Sequence, residues 1–168
     1  SVGTEALLWD EEQSLYVPMD RLIKQDAAGF FEEHYETLRA VIENTPGLKL
    51  QEDAFLGPHK ISGWKDPKTT MSNEELYDAL LDTLKVYEIN PEDLSITASM
   101  QTKFAVDLTP KGATKGNAIR FAAWHYDVPL KNVYYGGDSI NDLDGMLVED
   151  INIILPGNAQ DSLVQAVE

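Results

Sequence analysis

From about residue 111 onward, helix-favouring stretches alternate with short apolar runs, and this alternation restricts the fold more than any other feature of the chain. Residues 115–126 carry a helical pattern. Residues 132–135 are a β-prone run that ends in Gly136-Gly137-Asp138. Residues 141–148 read as helix, 151–155 as a near-continuous apolar run, and 159–167 as a last helix. Strands and helices in that order predict a parallel sheet with helices on both faces. The apolar run at 151–155 predicts a strand buried on both sides.

Upstream the pattern differs. Residues 4–9 and 14–17 read as two strands of a hairpin around the polar Asp10-Glu11-Glu12-Gln13, closed by Pro18. Residues 19–43 turn helical, with Phe30, Phe31, His34, Leu38, Val41 and Ile42 at three- and four-residue steps. Gly29 is the expected break in that stretch, and Thr45-Pro46-Gly47 its stop. Strands are expected at 48–55 and 59–64. Ser72 with Glu75 has the spacing of a helix-capping box, ahead of Leu76, Leu80 and Leu84. Strands at 94–100 and 104–108 would form a second hairpin. The middle of the chain thus reads as a separate α+β unit.

Composition excludes several function classes. Thirteen Lys+Arg against 29 Asp+Glu give a formal charge of −16, which repels phosphate backbones and argues against a nucleic-acid partner. The absence of cysteine excludes disulfide frameworks and thiol chemistry and leans towards a cytoplasmic protein. No run approaches about 20 apolar residues, so no membrane span is expected.

Two segments carry chemistry. Gly136-Gly137-Asp138-Ser139-Ile140-Asn141-Asp142 follows a predicted strand and opens a helix. Ligands of open α/β sheets bind at the carboxyl ends of the strands. Asp138 and Asp142, four residues apart, are hard oxygen donors suited to Mg²⁺. The same residues also fit a plain Gly-Asp turn with an Asn or Asp helix cap. The second segment, Pro110-Lys111-Gly112-Ala113-Thr114-Lys115-Gly116, lacks the Walker spacing. A lysine at a helix start can still neutralise a phosphate beside backbone N–H groups, although the segment taken alone fits a solvated loop with two surface lysines better. Taken together, one cation and two carboxylates at the same end of a sheet are equipment for a phosphoryl group. His34, His59 and His125 show no ligand spacing.

Lys115-Gly116-x-Ala118 followed by Gly137-Asp138-Ser139-x-Asn141-Asp142 resembles the third and fourth motifs of the haloacid dehalogenase superfamily of phosphatases. Residues 1–5, Pro58-His59-Lys60-Ile61-Ser62 and Asp107-Leu108-Thr109-Pro110 are similar to the sucrose-phosphate phosphatase branch. The resemblance implies an α/β fold: a Rossmann-like, doubly wound parallel-sheet core with an inserted α+β cap domain. The expected boundaries are 1–10 for a first core segment, 11–103 for the cap and 104–168 for the rest of the core. It implies a Mg²⁺-dependent hydrolase of a sugar phosphate. Lys115 would bind the phosphoryl group, Asn141 and Ser139 would orient it, and Asp138 and Asp142 would hold Mg²⁺ directly or through water. Lys60, Thr4 and Glu5 would border the sugar. The family's first motif, DxDx[TV], which supplies the nucleophilic aspartate, has no match in this sequence. The chain therefore reads as a member without its first segment or first core strand, one half of a split enzyme with a companion chain, or a non-catalytic relative.

Overall fold

The computed structural model describes residues 7–10, 15–18, 25–99 and 104–167. Thr4, Glu5 and the turns expected at 11–13 and 101–103 lie outside the described residues. Two compact units emerge: Ile23–Gly112, and Ala113–Glu168 together with Ser1–Leu22. The former is thus an insertion, in sequence, within the latter.

The N-terminal hairpin forms as its pattern predicts. Strands β1 (Leu7–Asp10) and β2 (Leu15–Pro18) pair antiparallel, with Trp9 opposite Tyr16.

In the inserted unit, helices α1 (Gln25–Glu33) and α2 (Tyr35–Asn44) are separated at His34, not at Gly29. Gly29 lies inside α1, whereas the backbone of His34 leaves the helical region at φ −101° and ψ 8°. One glycine in a helix costs only about 1 kcal/mol, which packing of the apolar face overrides. Strand β3 (Leu48–Leu50) is shorter than expected, because Asp53–Phe55 coils into a 3₁₀ turn. Then follow β4 (Ile61–Lys65), α3 (Asn73–Val86), β5 (Leu94–Ser99) and β6 (Ala105–Pro110). The sheet runs β3-β4-β6-β5, with every neighbouring pair antiparallel.

The four-residue spacing on α3 puts Leu76, Leu80 and Leu84 on one fully buried face. They join Phe31, Leu38, Val41, Ile42, Ile61, Val106 and Leu108 in one core. Gly63 permits α2 to lie close on β4, since a Cβ there would come within 2.7 Å of Ile42 Cγ2. Because β6 is hydrogen-bonded to both β4 and β5, residues 105–110 belong to this unit, and the other unit resumes only at Ala113.

The remaining unit contains α4 (Lys115–His125), β7 (Tyr134–Gly136), α5 (Leu143–Met146), β8 (Asn152–Ile154) and α6 (Asp161–Val167). The helix expected at 141–148 is a 3₁₀ turn, Ile140–Asp142, running into the single turn of α5. Strands β7 and β8 are parallel, as the alternation predicts, with Tyr135 opposite Ile153 and Gly136 opposite Ile154. The expectation of a strand buried on both faces is corrected: Ile153 and Ile154 are 40% and 53% exposed. Within the described residues β8 has a single hydrogen-bonded neighbour, β7.

Candidate functional site

Strand β7 delivers the chain to Gly136, and Gly137 turns it. A Cβ on Gly137 would come within 2.7 Å of Asp142 Oδ2, so the absence of a side chain lets that carboxylate tuck beneath the loop. Asp142 is buried, and its two oxygens are divided between two jobs. Oδ2 holds the loop, accepting from the N–H of Asp138 (3.1 Å), the N–H of Ser139 (3.3 Å) and the hydroxyl of Ser139 (3.3 Å). Oδ1 faces α4, accepting from Lys115 Nζ (2.5 Å) and from the Tyr135 hydroxyl (3.1 Å).

Electrostatics follow from those partners. Burial alone would raise the pKa of Asp142, but hydrogen bonding and charge from Lys115, the Ser139 N–H and the Tyr135 hydroxyl together hold it below the ordinary carboxylate value. The phenol of Tyr135 is pushed up by burial and then by the charge of Asp142, so it stays a protonated donor. The Lys115–Asp142 pair is mostly shielded from solvent, with side-chain exposures of 20% and 12%.

Lys115 is the first residue of α4, capped by the Thr114 side chain on the N–H of Asn117 (3.2 Å). The next N–H, that of Gly116, donates to Asp144 Oδ2 at 2.6 Å. A Cβ on Gly116 would approach the Asp144 carbonyl oxygen to 2.9 Å, so glycine is what lets α4 and α5 meet here. Two of the backbone donors expected to help an anion are therefore already engaged by this chain's own side chains. The far side of the loop is pinned by Gln160, whose Oε1 accepts from the Ile140 N–H (2.9 Å) and whose N–H donates to the Asp138 carbonyl (2.8 Å). The single hydrogen of the Ser139 hydroxyl is shared between Asp142 Oδ2 and Asn141 Oδ1.

Lys115, Ser139, Asn141 and Asp142 thus converge, with Asp138 on the same loop. Lys60 belongs to the other unit, where its backbone bridges Gly57 ahead of β4. Sequence reasoning missed Tyr135, Asp144 and Gln160. Tyr135 reads as an ordinary strand residue until the fold brings its hydroxyl to Asp142, and Asp144 and Gln160 act through contacts 28 and 20 residues away and leave no local trace.

The donor set bears on Mg²⁺. Both oxygens of Asp142 are committed to N–H and O–H donors, which leaves it suited to contact through water. Asp138 is exposed and presents its carboxylate on the loop. Among the described residues no group of three or more His, Cys, Asp or Glu is arranged to hold a metal. One carboxylate is nevertheless compatible with Mg²⁺, which commonly keeps several waters and takes one or two protein carboxylates beside phosphate oxygens. An ammonium carries three hydrogens, and Asp142 takes one from Lys115. The remaining ammonium hydrogens of Lys115 can therefore meet an anion beside the loop that carries Asp138, Ser139 and Asn141.

Residues 1–168 match the model of the family described as sucrose-6F-phosphate phosphohydrolase. Among solved structures, the sucrose-phosphatase of Synechocystis sp. PCC6803, in complex with sucrose and phosphate, is similar at 27% identity with a TM-score of 0.63. That match covers 84% of this chain and 55% of the other, so the chain spans little more than half the length of that protein. A Thermoplasma acidophilum protein matches at 14% identity and TM-score 0.57, over 99% of this chain and 61% of the other. A haloacid dehalogenase-like hydrolase of Bacillus subtilis matches at 15% and 0.51, over 98% and 59%. No curated protein sequence matches. The fold shown by these likenesses is α/β, with a Rossmann-like core and a cap domain.

Proposed function

Because the chain belongs to the sucrose-6F-phosphate phosphohydrolase family, we propose that it provides the phosphate grip of a phosphoric monoester hydrolase acting on a sugar or disaccharide phosphate. The observation that carries this reading is the mostly shielded Lys115–Asp142 pair beneath the Gly137-Asp138-Ser139 loop. Lys115 neutralises one phosphate oxygen while Asp142 fixes its position. Ser139 and Asn141 orient the anion, and Asp138 offers a carboxylate to Mg²⁺, with Asp142 reaching it through water. The metal, when bound, offsets negative charge on the phosphoryl group. A phosphate dianion needs this much positive charge, because charge neutralisation and positioning are nearly all that phosphoryl transfer asks of a protein. Lys60, Thr4 and Glu5 are assigned to the sugar, and the absence of cysteine suits a cytoplasmic setting.

An aspartyl-phosphate route needs a nucleophilic carboxylate, and no DxDx[TV] pattern occurs in these 168 residues. That observation favours a second reading, a non-catalytic domain that binds sugar phosphate and metal. Two measurements separate the readings. In the first, this chain is titrated with inorganic phosphate, with and without Mg²⁺, and followed by NMR at the 137–142 loop. Binding that is lost in Lys115→Ala is expected; equal binding by that variant removes the assignment. In the second, phosphate release from sucrose 6-phosphate is assayed with Mg²⁺. Turnover supports the hydrolase, whereas binding without turnover by the whole protein supports the second reading.

A further inference from the structure

The geometry points to Tyr135 as a positioning residue for Lys115, acting through Asp142 and resting on the phosphate-binding role proposed above. The phenol reaches Asp142 Oδ1, the same oxygen that accepts from Lys115 Nζ. The ring is placed there by Gly145: a Cβ on that residue would lie 2.6 Å from Tyr135 Cε1 and 3.0 Å from its hydroxyl oxygen. Tyr135 lies on β7 and Gly145 on α5, so the strand and the start of α4 meet at one carboxylate oxygen while the short helix lies against the tyrosine ring.

The consequence is a division of labour at Oδ1. An oxygen with a lone cationic partner draws that cation onto itself. With a hydroxyl as second donor, part of its charge is satisfied by a neutral group, and the ammonium is shared more readily with an arriving anion. The hydroxyl also fixes the carboxylate that aims the lysine. Tyr135 touches no substrate in this arrangement; it sets where the Lys115 ammonium stands.

Tyr135→Phe removes the hydroxyl and keeps the ring against Gly145. Titration of this chain with inorganic phosphate should show affinity weakened about three- to tenfold, the range of one hydrogen bond. The melting temperature should stay close to that of the parent. The ε-methylene resonances of Lys115 should shift before phosphate is added, while those of Lys49, Lys65 and Lys85 in the other unit stay in place. Gly145→Ala, which displaces the ring with its hydroxyl intact, should reproduce both effects. Affinity within twofold of the parent in both variants, or an unmoved Lys115 signal, overturns the role of Tyr135 and leaves the phosphate site standing. A parent chain that binds no phosphate overturns the site itself, and this inference with it.

Discussion

Asp142 carries the most consequence per atom in this chain, because one carboxylate holds both Lys115 and the loop beside it. Its depressed pKa sets a pH dependence of stability. The folded state binds the ionised form better than the unfolded chain does, so the contribution is complete above the ordinary value of 3.8 and is lost as pH falls through the lower folded value. Asp142→Asn should lower stability at neutral pH by about 1.5–3 kcal/mol, the range for hydrogen bonds to charged groups. It should also flatten the acid end of a plot of Tm against pH, because the group that titrates there is gone. Equal Tm values for parent and variant from neutral pH down to acid would contradict the geometry. An amide cannot serve here as the carboxylate does, since its NH₂ would face N–H, O–H or ammonium donors. At this scale the sequence was partly legible. Asp138, Ser139, Asn141 and Asp142 stand in one short motif, while Tyr135 reads as an ordinary strand residue until the fold sets it against Gly145.

Elements whose ends are marked by local chemistry form where the sequence places them. Ser72 accepts from the Glu75 N–H at 3.1 Å and donates its own N–H to Glu75 Oε2 at 2.6 Å, a complete capping box at the start of α3. The Glu75 carboxyl is held below its ordinary value first by the Ser72 N–H. Ser72→Ala should cost about 1 kcal/mol and lower Tm by about 4–8 °C in a unit of this size, measurable by thermal circular dichroism. Elements whose boundaries depend on what lies beside them were harder to read. Gly29 looks like a break, yet α1 runs through it, and the chain bends at His34 so that Phe31 and Leu38 both reach the core. The apolar run around Ile153 and Ile154 looks central, but burial is a property of neighbours, and β7 is the single strand that pairs with it among the described residues.

The molecule as a whole is organised by an insertion. Ile23–Gly112 carries its own four-stranded antiparallel sheet, three helices and a continuous core among its described residues. A 23–112 fragment should therefore fold cooperatively by itself, and dispersed amide NMR signals with a single thermal transition would bear this out. Within it, Leu80→Ala should cost about 2–5 kcal/mol, because Leu80 is fully buried and its removal leaves a cavity. A collapsed but undispersed fragment would mean that this unit depends on the rest of the chain.

The sequence by itself determined the parallel β7–β8 pair, the capping box of α3, and the lysine and aspartate motifs, because periodicity, capping and loop chemistry act over fewer than ten residues. It does not by itself say which sheet takes up the strand that begins near residue 104, because an apolar strand looks alike whichever sheet receives it. Tertiary structure alone assigned β6 to the inserted sheet, closed the 27-residue gap between Lys115 and Asp142, and gave the Tyr135 hydroxyl its partner. Those decisions belong to packing: a hydrogen bond between distant residues exists when the surrounding core holds both ends in place, and no local pattern encodes that condition.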